Sequence, residues 1–257
     1  YGLVGSEMCI RDRYQITVAP QILIWGDETF EDGIDISPTE FYTRLATAAI
    51  MPTTSQVAVP TFQKIFEKLH AEGKDILAIL LSEQLSKSVN SAELARSMVP
   101  DANIEIVNSR SVAMELGFHV LAAARAADEG ADLQACKAVA EAAQEKTGVL
   151  FVVDTLEFLH RGGRIGGASR FLGTALKLKP LLEVRDGRVE PIERIRTKKK
   201  AHERLIELVM ERVNALEGQV HLATLHANAL EDAQVILDTI SAQVNPVETV
   251  YSEVSPV

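Results

Sequence analysis

Residues 75–88 read DILAILLSEQLSKS. The first half is an unbroken apolar run from Ile76 to Leu81, with the length and character of a strand buried on both faces. The second half carries three hydroxyls, Ser82, Ser86 and Ser88. Strands of this kind belong to parallel sheets covered by helices, and the flanking segments supply the helices. Upstream, VPTFQKIFEKLHAEG (residues 59–73) places Phe62, Ile65, Phe66 and Leu69 on one helical face and stops at Gly73. Downstream, SVNSAELARSMV (88–99) reads as a helix and NIEIVNS (103–109) as the next strand. The run at 76–81 therefore decides for an α/β fold. It also locates a site, because ligands in open α/β sheets gather at the carboxyl ends of strands. Capping of the next helix is the competing explanation for the three serines, and both can hold.

The same alternation extends to both ends. QITVAPQILIW (15–25) is a pair of apolar runs broken at Pro20, and GDETFEDG (26–33) is a turn-rich hairpin. Ser37, Pro38 and Glu40 form a helix start with a capping box. MPTTSQ (51–56) reads as a polar loop. Its Thr53, Thr54 and Ser55 serve either as a helix cap or as donors aimed at an anion. Helices are expected at 113–128 and 132–146. From Gly148 a second block begins: a buried strand GVLFVVDT, a helix, a Gly-rich elbow and a helix over 156–178, then a hairpin over 179–195 turning at Asp186-Gly187. A long helix from Thr197, the strand VHLATLHAN, a helix at 229–243 and the strand VETVYSEV follow. The domains expected are a leader at 1–13, an N-terminal α/β domain at 14–146 and a C-terminal α/β domain at 147–257. The first carries a mostly parallel sheet with helices on both faces, the second a mixed sheet with helices.

Composition removes several functions. The 257 residues carry a formal net charge of −10, which repels nucleic acid and anionic lipid surfaces. Charged residues interrupt every apolar stretch before about 18 residues, so no membrane insertion is expected. The two cysteines, Cys9 and Cys136, are too few for a disulfide framework and suit the cytoplasm. No dinucleotide or Walker glycine loop is present, no G-x-S-x-G elbow, and no H-E-x-x-H pair among the six histidines. No metal, cofactor or catalytic residue is therefore assigned. The loop LHRGGRIGG (159–167) is either an interdomain elbow or an anion site built on Arg161 and Arg164. RIRTKKK (194–200) is either a solvated helix start or a docking patch for an acidic partner.

Taken together, DGIDISPTEFYTRL, MPTTSQ, LLSEQLSKSVNSAELA, IEIVNSRSVAMELGF, LEFLHRGGRIGGASRFLGTALKLKPLL and RIRTKKKA resemble the DegV family, in order and spacing. These are fatty-acid-binding proteins that include the binding subunits of bacterial fatty acid kinase. The resemblance implies two α/β domains with one acyl chain between them. It implies a carboxylate held by Thr54 and Ser86, with Ser55, Ser82, Ser88 and Arg164 in support. It implies a kinase partner that makes an acyl-phosphate, docking at Arg196 and Lys198. No reaction is expected of the chain itself. Lys87 stands where the family usually has glycine, and Asn108 where it has aspartate. Segments 112–121 and 170–182 are candidate tunnel walls, the helix carrying Phe118 foremost.

The opening VGSEMCIRDR resembles translated sequencing-adapter read-through. The family's N-terminal strand and D-S-x-x-D-L loop, and its C-terminal G-x-H-x-G-P-G loop, are not found in the sequence. A leader that packs poorly is the expectation. Two other functions compete: a phosphoryl- or acyl-transfer enzyme using residues 160–167, and a scaffold without ligand. No nucleophile stands beside a base at recognisable spacing, which counts against the enzyme.

Overall fold

A computed structural model describes residues 10–173 and 178–254. The chain divides into two compact units. One extends to Thr147 and takes back the chain from Glu253; the other is Gly148–Ser252.

In the first unit the central feature is the parallel pair β4 (Ile76–Leu80) and β5 (Ile104–Asn108), in register from Ile76↔Ile104 to Leu80↔Asn108. Parallel neighbours need a crossover, and helix α3 (Ser88–Ser97) provides it. Helix α2 (Val59–Ala71) buries Phe62 and Phe66 with Ile76, Ala92, Ala95 and Ile104. Helices α4 (Ala113–Asp128) and α5 (Leu133–Ala143) pack on the other side, around Val107, Ala123, Cys136 and Ala140. The sequence boundaries of α4 are met residue for residue. Asp132 caps α5 by accepting from the Ala135 amide at 2.8 Å.

The remaining sheet of this unit differs from the expected mostly parallel arrangement. Its order is β2-β1-β3, and both pairings are antiparallel. The cause is local. Strands β1 (Ile22–Trp25) and β2 (Glu28–Glu31) are joined by only Gly26 and Asp27, and so short a link permits nothing but a hairpin. Gly26 sits at φ +64 to close it. Of the two apolar runs at 15–25, only the second is a strand. MPTTSQ is not a loop throughout: Thr53–Ser55 form β3 against β1, with Leu23↔Thr54. Leu23, Trp25, Ile36 and Phe41 bury together beneath α1 (Pro38–Leu45). The capping box is present: Ser37 Oγ accepts from the Glu40 amide at 3.3 Å, and the Ser37 amide donates to Glu40 Oε2 at 2.9 Å.

In the second unit β6 (Leu150–Val152), β7 (Lys179–Arg185) and β8 (Arg188–Ile195) form an antiparallel sheet in that order. Asp186 and Gly187 turn the hairpin with φ of +51 and +78, as the sequence pair requires. Helix α6 (Glu157–Arg161) and a 3-10 helix (Gly166–Phe171) link β6 to β7. The helix expected to end near 178 is a 3-10 turn where it is described, and its residues 174–177 lie outside the described residues. Helix α7 (Lys198–Asn214) starts on Thr197, and β9 (His221–His226), α8 (Leu230–Val244) and β10 (Glu248–Glu253) complete the unit. Glu183 is a buried carboxylate on β7, ion-paired to both Arg185 and Arg212. Of the leader, residues 1–9 lie outside the described residues. Ile10–Arg13 make a helical turn, with the Tyr14 amide donating to Ile10 O at 3.2 Å.

His119 is fully buried on α4, with Nε2 2.7 Å from Thr147 Oγ1. Burial lowers its pKa below the ordinary 6.5. The unfolded chain therefore takes up this proton at a higher pH than the native chain. Stability from His119 is full above 6.5 and is lost as pH falls through the lowered native value. The lowered carboxylates, Glu105 and Asp154 among them, act only below their ordinary 4.5 and 3.8. Melting curves of wild type are expected to shift downward between pH 6.5 and 5, and His119→Gln to flatten that shift while keeping an amide donor for Thr147.

Candidate functional site

The carboxyl ends of β4 and β5 carry an unusual concentration of hydroxyls. Ser82, Ser86, Ser88, Ser91, Ser109 and Ser111 are all buried. A buried hydroxyl without a partner costs about 1–3 kcal/mol, so each is held by hydrogen bonds. The strand ladder continues past its formal end. The Ser109 amide donates to Leu80 O and the Ser82 amide to Ser111 O, both at 2.9 Å. Ser82 Oγ accepts from the Gln84 amide at 3.2 Å, and the Ser86 amide donates to Ser82 O at 3.0 Å. This turn delivers Ser86 to the start of α3. Asn108 does what an aspartate would do there: its Oδ1 accepts from the Glu83 and Arg110 amides at 3.3 and 3.1 Å.

The strand β3 is tied to this crest from the other side. The Val57 amide donates to Ser88 Oγ at 3.3 Å, and Gln56 Nε2 donates to Ser91 Oγ at 3.3 Å. Antiparallel register sets Ser55 opposite Ile22, so Gln21 is carried to the same place. Ser86 Oγ donates to Gln21 Oε1 at 3.5 Å. The segments bearing Thr54 and Ser86 are thus brought together by the β1–β3 pairing and by hydrogen bonds to Ser86, Ser88 and Ser91. Thr54 and Ser55 are half-buried, and their hydroxyls make no hydrogen bond among the described residues. Lys87 takes φ −86 and ψ 16, an ordinary right-handed conformation, so the position does not demand glycine. Its side chain is exposed, turned out between the buried Ser86 and Ser88.

Sequence reasoning singled out Ser82, Ser86 and Ser88 but missed Gln21, Gln56, Ser91 and Ser111 as members of the network. Ser91 had a signal, lying one helical turn after Ser88 on the same face. Gln21 had none, because its place is set by strand register alone.

The other candidates lie in the second unit. In the Gly-rich loop, Arg161 pairs with Glu157 at 2.7 Å and Arg164 Nη1 donates to Gly162 O at 2.6 Å. A Cβ on Gly166 would lie 2.4 Å from Val189 O, and one on Gly167 2.0 Å from Glu190 Oε2. Gly166 is needed so that the 3-10 helix can lie against the β8 backbone, whereas at Gly167 the Glu190 side chain can give way. The geometry is that of a packed elbow. Arg196 is exposed, whereas Lys198 is ion-paired with Asp232, which holds its ammonium pKa above the ordinary value. Phe118 is half-buried on α4. Among the described residues no group of His, Cys, Asp and Glu has the arrangement of a metal site, and no helix is long and apolar enough to cross a membrane.

The model of the DegV family of uncharacterised proteins matches residues 7–257. The chain belongs to the DegV family. A DegV domain-containing protein of Clostridium acetobutylicum is 34% identical over 99% of this chain and 91% of that protein. A DegV family protein of Thermus thermophilus, solved in a study of its fatty acid binding, superposes with TM-score 0.86 at 31% identity, covering 96% of this chain and 88% of the other. DegV of Bacillus subtilis, described as a fatty acid binding protein, gives TM-score 0.86 at 32% identity, with coverage of 97% and 88%. This DegV chain shares their mixed α/β architecture.

The elbow can be tested directly. Gly166→Ala meets backbone at φ +50 and is expected to cost about 2–4 kcal/mol in urea unfolding. Gly163→Ala, at φ +73 with nothing within 4 Å, should cost only about 1 kcal/mol. Equal losses would mean that the loop is not packed as described.

Proposed function

We propose that this DegV protein binds a long-chain fatty acid and presents its carboxylate to a kinase partner, in the cytoplasm, without catalysing a reaction itself. The observation that carries the reading is the meeting of two hydroxyl-bearing segments, around Thr54 and Ser86, in a chain 31–32% identical to two proteins described as binding fatty acids. Affinity would come from the tail. Each buried methylene contributes roughly 0.8 kcal/mol, so about 14 of them contribute on the order of 11 kcal/mol before association costs. The head group must still be satisfied, since an unpaired buried carboxylate is heavily penalised. Thr54 and Ser86 are the donors we assign to it, with Ser55 beside them. Ser82 and Ser88 brace the turn, and Arg164 is given a supporting role. The exposed Arg196 and the neighbouring Lys198 form the docking patch we assign to the kinase, which would transfer a phosphoryl group to the carboxylate.

Mass spectrometry of organic extracts from the purified protein is expected to find co-purified fatty acid; an empty protein that turns over a test ester would favour the enzyme instead. Thr54→Val combined with Ser86→Ala should weaken palmitate binding at least about tenfold while changing 1-hexadecanol binding by less than about threefold. For the partner, Arg196→Glu is expected to abolish kinase-dependent formation of acyl-phosphate and to leave palmitate affinity intact. Loss of both together would make the patch structural.

A further inference from the structure

The bonds around Ser86 have a direction, and that direction limits what the site can bind. The Val57 amide is a fixed donor, and it donates to Ser88 Oγ at 3.3 Å. The Ser88 amide is a second fixed donor, and it donates to Ser86 Oγ at 3.3 Å. The two hydroxyls lie 3.0 Å apart. Ser86 has a single proton and gives it to Gln21 Oε1, so across the contact between the two hydroxyls Ser88 is the donor. Ser86 Oγ then accepts twice, from the Ser88 amide and the Ser88 hydroxyl, and both its lone pairs are filled. It is left with one capacity, to donate. In the structure that proton goes to Gln21 Oε1 over a long 3.5 Å.

We infer that Val57 N–H, Ser88, Ser86 and Gln21 form a one-way hydrogen-bond relay that makes Ser86 an obligate donor, with Gln21 holding its proton until an anionic head group takes it. The inference rests on the lipid-binding reading and deepens it. Ser88 is a positioning residue acting through Ser86. Gln21 is a specificity residue: its carbonyl oxygen keeps the buried Ser86 satisfied in the free protein, and its amide Nε2 becomes a second donor once an acceptor arrives. Such a relay favours an ionised carboxylate. An alcohol head group offers a weaker, uncharged acceptor, and its own proton finds no lone pair on Ser86. A protonated acid meets the same obstacle through its O–H.

The full chain, stripped of lipid, would be titrated with palmitate and with 1-hexadecanol at several pH values. The wild type is expected to prefer palmitate, with the preference falling as the acid protonates. Ser88→Ala should reduce palmitate affinity about tenfold and leave hexadecanol within about twofold, and Ser88→Thr should restore the preference. Gln21→Glu sets a carboxylate beside the head group and should weaken palmitate at least about tenfold without weakening hexadecanol. Gln21 is only half-buried, so this variant keeps the test open if Ser88→Ala fails to fold. Palmitate binding whose preference over hexadecanol is unchanged in the folded variants overturns the relay alone. A wild type that binds neither probe overturns the lipid-binding reading and the relay with it.

Discussion

A hydroxyl can be buried only if its hydrogen bonds are made, and this constraint organises the first unit. Six serines lie buried at the carboxyl ends of β4 and β5. Parallel pairing creates the place, because the crossover α3 must start just beyond the strand it follows. The turn from Leu80 to Ser88 then runs through buried ground, where backbone and side chains alike need partners. Serine is the economical residue there. It is small enough to pack beside Ala92 and Ala95, and its hydroxyl can accept from an amide while donating elsewhere. The same bonds that satisfy the turn also fasten β3 to it, through Val57 and Gln56. Site and core are one construction.

The second unit solves its packing differently. Its sheet is antiparallel, and its 3-10 helix lies close on β8, with Gly166 against the Val189 backbone and Gly167 against the Glu190 side chain. That contact explains the second glycine pair of HRGGRIGG without chemistry. The arginines of the loop are turned to Glu157 and Gly162. Glu183, flanked by the buried Leu181, Leu182 and Val184, is held by Arg185 and Arg212, so the sheet and α7 share one charged knot. Removing a carboxylate or an arginine there would leave a charge uncompensated rather than expose a binding surface.

What the sequence revealed follows a physical division. Signals carried by adjacent residues were legible: the Ser37–Glu40 capping box, the Asp186-Gly187 turn, the full extent of α4 and the apolar run at 76–81. Signals set by distant pairing were not. Thr53–Ser55 reads as a loop because three polar residues have no period, and only pairing with Ile22, Leu23 and Ile24 of β1 makes them a strand. Gln21 is separated from Ser86 by 65 positions, and nothing about a glutamine beside Ile22 announces that contact. The mostly parallel sheet expected for the first unit was drawn from β4 and β5, which are parallel. The antiparallel remainder follows from the two-residue link Gly26-Asp27, whereas the sequence reads as a hairpin lying within residues 26–33. Resemblance to the DegV family points to Thr54 and Ser86 as carboxylate ligands, and the structure brings their segments together, yet the resemblance carries no information on the serines that join them.

On the proposed function, the choice of neutral donors would suit what a presenting protein must do. An arginine fork would grip a carboxylate more strongly than two hydroxyls, and it would grip harder still as negative charge grew. A carrier that surrenders its cargo to a partner gains from the weaker hold. With the tail supplying most of the affinity, the head-group contacts need only fix orientation and exclude the wrong chemistry. Ser86, with both lone pairs filled in the proposed relay, would do both: it would accept nothing, so it would discriminate, and it carries no charge, so it could let go. Lys87, turned outward at the same loop, then acts at longer range. In a chain of net charge −10, an exposed cation on this loop would offset part of the repulsion met by an anion approaching it, within a Debye length of about 10 Å at 0.1 M salt.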